Sequence, residues 1–328
     1  MSERSVLIRV PSTVGNFGGA VNSAAMALEA PLNVKVTPRL DGHVGIRYFG
    51  DNGERVPRDR SNLVVRAFEA ALHFKGVEFT GANFEIYSSV PVGVGLGSSA
   101  AAVLAGLIAG DRLYQLQLDE KNLFDLAALF EMRSDNLQAA WYGGFVAKAE
   151  EAAVGTFHRT AVPEDALMNV VVPESYLASP ARSGRGRQAG ARSSRKVNSL
   201  SFARAQALAK FFAEPAAEDR SDLLAPLPPT CEKVVPGLEG ALKVRVPGLV
   251  SVFVCGSGPA VGILAQGNPA PAVQAVRECF SAEGIKSSFV ELRPTNAGAR
   301  EWNAPQAELS AAAEGLGPSA KKFSLIPV

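Results

Sequence analysis

The sequence predicts an α+β protein. Some stretches alternate apolar and polar residues at the period of a strand, and others repeat apolar residues at helical spacing. The two kinds mix without a strict strand–helix–strand alternation. The chain has 328 residues, room for about two units of ordinary domain size. The halves are expected to meet near Val154, giving units over 1–154 and 155–303, with a tail over 304–328 rich in Ala, Gly and Pro.

In chain order, Val6, Ile8 and Val10 alternate as a strand, and 33–37 and 43–48 repeat the pattern around the turn pair Asp41-Gly42, which predicts a hairpin. Leu63, Val64, Ala67, Phe68, Ala71 and Leu72 are spaced as a helix over 62–74, with Ser61 or Asp59 available to cap it. A strand over 84–90 leads into a glycine-rich turn. Helices over 98–113 and 120–130 follow, then a turn at Gly143-Gly144 that enters a strand. The second half reads as a strand over 167–172, a helix over 202–212, strands over 249–255 and 260–265, a helix over 270–282 and a last strand over 287–292.

Composition excludes several classes. The three cysteines, Cys231, Cys255 and Cys279, are far apart, which rules against a disulfide scaffold or a cysteine-rich zinc site and fits reduced thiols in a cytoplasmic protein. The histidines His43, His73 and His158 are isolated, so no paired-histidine metal motif exists. Lysine and arginine number 33 against 32 acids, a net charge of +1 that argues against a uniformly basic partner of nucleic acid or membrane. No charged residue occurs from Ile86 to Gly110, but Pro91 and the glycines after it break that run, so it reads as strand, turn and buried helix and not as a membrane span.

The sharpest feature is that turn, PVGVGLGSSAA over 91–101. Gly93, Gly95 and Gly97 clear one edge of the backbone so that amides can approach an anion. Ser98 and Ser99 then open an apolar helix, whose free N–H groups and partial positive charge complete a phosphate site. The loop has no lysine, unlike a Walker A loop, and its G-x-G-x-G spacing is not the G-x-G-x-x-G of a dinucleotide fingerprint.

This loop resembles the signature of the GHMP small-molecule kinases, and three more segments agree in order. VPSTVGNFGGAVNSAAMAL over 10–28 is similar to the family's first motif. EMRSDNLQAAWYGGF over 131–145 is similar to its Asp-Asn segment, and CGSGPAVGILA over 255–265 to its third motif. With PTNAGAR over 294–300, the likeness is greatest to the homoserine kinases. The resemblance implies an N-terminal domain like that of ribosomal protein S5, which binds ATP, and a ferredoxin-like C-terminal domain. It implies an ATP- and Mg²⁺-dependent enzyme that phosphorylates a hydroxyl, L-homoserine to O-phospho-L-homoserine in threonine biosynthesis. The alternatives are another hydroxylated acceptor, or a non-catalytic nucleotide-binding protein. A homodimer is a further expectation.

By position, the resemblance assigns Gly93, Gly95, Gly97, Ser98 and Ser99 to the phosphates, with Pro91, Leu96 and Ala100 among the ATP-binding residues, Asn62 to adenine, and Ser98 and Glu131 to Mg²⁺. It assigns Asn16, Asn22, Asn136, Arg204 and Gly258 to the acceptor. Asn136 would orient the acceptor hydroxyl, and Asp135 is a candidate base. Three positions depart from the pattern. Asn22 stands where the family has an ammonium-binding aspartate, Cys231 where it has an arginine, and Arg133-Ser134 where it has His-Pro. From Ser175 to Ala213 there are eight basic residues and no acid, which leaves the rest of the chain at −7. That segment reads as a solvated basic loop or as an anion-gathering lid; nucleic-acid binding is disfavoured by the lack of interleaved aromatics.

Overall fold

A computed structural model describes residues 5–51, 53–89, 92–150, 156–163, 166–174, 199–214 and 235–303. Eleven strands among them form two sheets. The first sheet takes β1 (Val6–Gly15), β2 (Ala24–Pro38), β3 (Val44–Phe49) and β4 (Ala82–Ser88), with β5 (Phe145–Lys148), β6 (Phe157–Thr160) and the short β11 (Arg300–Glu301). The second has β7 (Met168–Pro173), β8 (Leu249–Val254), β9 (Val261–Ala265) and β10 (Ser287–Leu292) in the order β10-β7-β9-β8, all antiparallel. β6 pairs with β5, so the first sheet reaches Thr160, beyond the expected meeting point at Val154.

The expected hairpin across Asp41-Gly42 does not form. β4 pairs with both β2 and β3, antiparallel to the first and parallel to the second. β3 is half-buried along its length and suits an edge, whereas β4 buries Ala82, Phe84, Ile86 and Tyr87 and takes the inner place. The β3–β4 connection carries α1 (Leu63–Phe74), whose cap is Asn62 rather than Ser61 or Asp59: the Asn62 Oδ1 accepts from the Val64 amide at 2.9 Å.

α1, α2 (Ser98–Tyr114), α3 (Glu120–Ala127) and α4 (Ser134–Tyr142) pack on one face of the first sheet. Phe68 of α1 meets Phe84 of β4 edge to face at 5.3 Å. Gly106 allows α2 close against α1, since a Cβ there would lie 2.3 Å from the Val64 carbonyl oxygen. A second core joins the two sheets through Phe17, Met26, Phe145, Val170, Val172 and Phe253, and α5 (Ser199–Ala213) adds Leu208 and Phe212 to it. On the other face of the second sheet, α6 (Leu238–Leu242) and α7 (Ala270–Ser281) cover Val171, Val252, Val254 and Ile263. β7 and β8 are thus buried on both faces, with alternate residues in different cores.

No helix among the described residues is long and apolar enough to cross a membrane. Pro91, Cys231, the arginine-rich segment 181–196 and the tail over 304–328 lie outside the described residues.

Candidate functional site

The glycine loop lies where the two sheets meet. Val94 and Leu96 are buried in the second core, so the glycines that alternate with them are held on the other edge of the backbone. Val94 accepts from the Ala260 amide at 3.2 Å, and Leu96 accepts from the Thr13 amide at 3.3 Å. The loop is thereby laced to the end of β1 and to the β8–β9 turn. A Cβ on Gly95 would stand 2.0 Å from the Cys255 carbonyl oxygen and 3.0 Å from the Gly258 amide nitrogen. One on Gly97 would stand 2.0 Å from the Thr13 hydroxyl. Both glycines also hold positive φ, 99° and 70°, so this backbone path excludes other residues on two grounds.

Gly97 is the N-cap of α2 and supplies no side chain to its first turn, which leaves amides of that turn for an anion. Ser98 and Ser99 are half-buried there. Leu96 and Ala100 are expected among the ATP-binding residues; their side chains are buried at 1% and 0% exposure, so only their backbone is available. Asn62 is buried, its Nδ2 donating to the Pro57 carbonyl at 2.9 Å while its Oδ1 caps α1.

Of the acceptor-side residues, Asn16, Asn136 and Gly258 gather against the same loop. Asn16, in the left-handed region at φ 56°, donates from Nδ2 to the Gly256 carbonyl at 2.8 Å and accepts at Oδ1 from the Asn22 amide at 3.2 Å. Gly256 in turn donates its amide to the Gly15 carbonyl at 2.9 Å. Asp135 and Asn136 sit in the first turn of α4, where the helix dipole favours a carboxylate. The Asn136 Oδ1 accepts from the Thr13 hydroxyl at 3.0 Å. Asp135 is fully buried with neither carboxyl oxygen hydrogen-bonded, and its charged neighbour is Arg133, with Nη2 at 3.9 Å from Oδ2. The Glu131 Oε1 accepts from the Arg133 amide at 3.0 Å.

PTNAGAR has a structural place beside this helix. Gly144 donates to the Thr295 carbonyl at 2.7 Å, and a Cβ on Gly298 would stand 1.9 Å from the Trp141 carbonyl. Arg204 is buried on α5, one turn before Leu208, whose Cδ1 lies 2.7 Å from where a Cβ on Gly18 would be. Burial first, then the like charge of Arg245, lowers the Arg204 pKa from its ordinary value.

Residues 62–144 match the family model of the GHMP kinases N terminal domain. A homoserine kinase of Moorella thermoacetica is 28% identical over 300 residues, covering 89% of this chain and 98% of that protein. One of Leifsonia xyli is 34% identical over 182 residues, covering 54% of this chain and 56% of its own. The solved homoserine kinase of Cytophaga hutchinsonii superposes with a TM-score of 0.66 at 22% identity, over 92% of this chain and 98% of that one. This chain has the GHMP kinase fold. Lactococcus lactis galactokinase shares it, with a TM-score of 0.63 at 15% identity over 92% of this chain and 96% of its own.

Within that GHMP kinase fold, Thr13, Gly15, Arg133 and Gly256 were not given roles from sequence, yet they connect the assigned residues. A signal was present for Arg133, a charge where the family pattern has His-Pro. For Thr13 there was none beyond its place in the first motif, because the contacts that matter lie 83 and 123 positions away in the chain.

Proposed function

We propose that this chain is an ATP-dependent kinase that phosphorylates the hydroxyl of L-homoserine. Thr13 carries the reading. Its backbone receives the closing turn of the phosphate loop, and its hydroxyl fixes the Asn136 amide. The donor cradle and the acceptor-orienting group therefore share one residue, which is the positioning that phosphoryl transfer needs.

The uncapped start of α2 and the open space around Gly93, where a Cβ would meet nothing within 4 Å, fit a triphosphate. Ser98 and Glu131 would hold Mg²⁺, which when bound neutralises charge on the phosphate oxygens. Among the described residues no three His, Cys, Asp or Glu side chains cluster; Mg²⁺ in such sites commonly takes one or two protein ligands together with phosphate and water. Asn136 keeps Nδ2 for the acceptor oxygen while Oδ1 is held by Thr13. Asp135 is the candidate to receive the hydroxyl proton. Gly258, Asn16, Asn22 and Arg204 complete the acceptor side. A cytoplasmic setting and a homodimer belong to the same reading.

The test is ADP release with ATP, Mg²⁺ and a panel of small alcohols. Homoserine is expected to give the highest kcat/KM. A different winner would follow from Asn22, a neutral amide where an ammonium partner is expected, and would reassign the acceptor. Thermal stabilisation by MgATP with no turnover on any alcohol would point to a binding protein instead.

A further inference from the structure

We propose that Arg133 is a catalytic residue, its guanidinium contacting the phosphoryl group as that group passes to the acceptor hydroxyl. The inference rests on the kinase reading above. Phosphoryl transfer spreads negative charge over the oxygens in flight, and cations that meet that charge are a main source of catalysis. The phosphate loop of this chain brings no cation of its own, since no charged residue occurs from Ile86 to Gly110.

Arg133 fills the gap by geometry. Its Nη2 donates to Asn16 Oδ1 at 2.7 Å. A Cβ on Gly15 would lie 3.0 Å from Nη2, and one on Gly256 would lie 3.3 Å from Nη1 and 2.6 Å from the Gly95 carbonyl. The guanidinium thus spans from the acceptor residues to the backbone of the phosphate loop. Its backbone amide is tied to Glu131, the candidate Mg²⁺ ligand, and two residues on is Asp135.

Two donors of the guanidinium remain uncommitted. Nε is buried without a hydrogen bond, and Nη1 makes none with the described residues. A buried donor without an acceptor is costly, so the site has a standing demand for an oxygen ligand. Guanidinium donors suit phosphate oxygens. The open Nη1 lies at the glycine-turn end, toward the phosphate loop. Asp135 lies at the Nη2 end and disfavours an acceptor carboxylate there.

The test compares wild type with Arg133→Gln and Arg133→Lys. Arg133→Gln is expected to lower kcat by about 100- to 1,000-fold while the homoserine KM stays within about threefold. Arg133→Lys should recover at least about tenfold of that loss by restoring charge without the planar fork. Calorimetry gives a readout apart from turnover. Affinity for a non-hydrolysable ATP analogue should fall about tenfold in Arg133→Gln, and affinity for ADP should hold. Two results would overturn the proposal. One is a retained kcat with an acceptor KM raised tenfold, which makes Arg133 a reader of the acceptor. The other is an equal loss of analogue and ADP affinity together with a lowered thermal midpoint, which makes it a strut. Should wild type leave homoserine untouched, the acceptor reading fails, and the analogue-against-ADP comparison still decides Arg133.

Discussion

The two sides of the site are built from different materials. On the nucleotide side the close contacts are mostly backbone on backbone: Gly95 against the Cys255 carbonyl, Leu96 accepting from the Thr13 amide, and Val94 accepting from Ala260. On the acceptor side they are side-chain contacts: Asn16 to Gly256, Thr13 to Asn136, and Arg133 to Asn16 and Asp135. Backbone packing accepts one residue type, whereas a side-chain network can be rebuilt with other polar groups. That difference explains why the phosphate loop follows its family's pattern while Asn22 and Arg133 depart from theirs.

The largest effect expected from this contrast is at the loop glycines. Gly95→Ala forces a Cβ into a carbonyl 2.0 Å away at φ 99°, against backbone that has no rotamer to yield. Left-handed strain and displaced packing together are worth about 3 kcal/mol, and the ATP cradle is lost with them. Gly93→Ala is the matched comparison: φ is 82° but the space around it is open, so the cost is about 1–2 kcal/mol. Urea unfolding and ATP titration of both variants check this. Equal costs would break the account of a backbone-built nucleotide side.

What sequence made legible follows the same division. The loop, the helix it opens and the α+β class could be read from local spacing, because period and glycine placement are local properties. The sheet order could not. β4 takes the inner place beside β2 because β3 is only half-buried, and that competition between distant strands leaves no mark at the Asp41-Gly42 turn. Asp135 and Asn136 could be singled out by their motif, but that both are buried in the first turn of α4 depends on packing from distant segments. Thr13 escaped notice because a threonine in a strand carries no signal until Gly97 and Asn136 are brought to it.

Thr13→Val sharpens the comparison from its shared residue. Valine keeps the shape and the backbone link to Leu96 but removes the hydroxyl donor, leaving the buried Asn136 Oδ1 without its partner. The expected loss is about 1–2 kcal/mol of stability. A loosened Asn136 should lower kcat by about tenfold, with ATP affinity nearly unchanged. An ATP affinity that fell as far as kcat would mean that the two sides are not separable at this residue.

The smallest effect lies beneath the nucleotide side. The Cys255 carbonyl faces Gly95, while its thiol is in the second core with Val94 and Leu96. Complete burial pushes the thiol pKa well above its ordinary range. In the folded protein Cys255 stays protonated where the unfolded chain would release a proton above about pH 8.5. The unfolded state then holds fewer protons, so stability falls as pH rises through that range. The contribution is full below pH 8 and amounts to a loss of about 1 kcal/mol by pH ~9.5. Cys255→Ala should therefore show a shallower decline than wild type between pH 7.5 and 9.5 in urea titrations (a range chosen to bracket the free-thiol pKa of about 8.5). In native protein at pH 8, iodoacetamide should leave Cys255 unmodified and react with it fully in urea, since the thiolate is the nucleophile and neither it nor the reagent has a route into the core. Labelling of the native thiol would mean that the wall behind Gly95 opens in solution, and that the rigidity ascribed to the backbone-built side comes from something other than its packing.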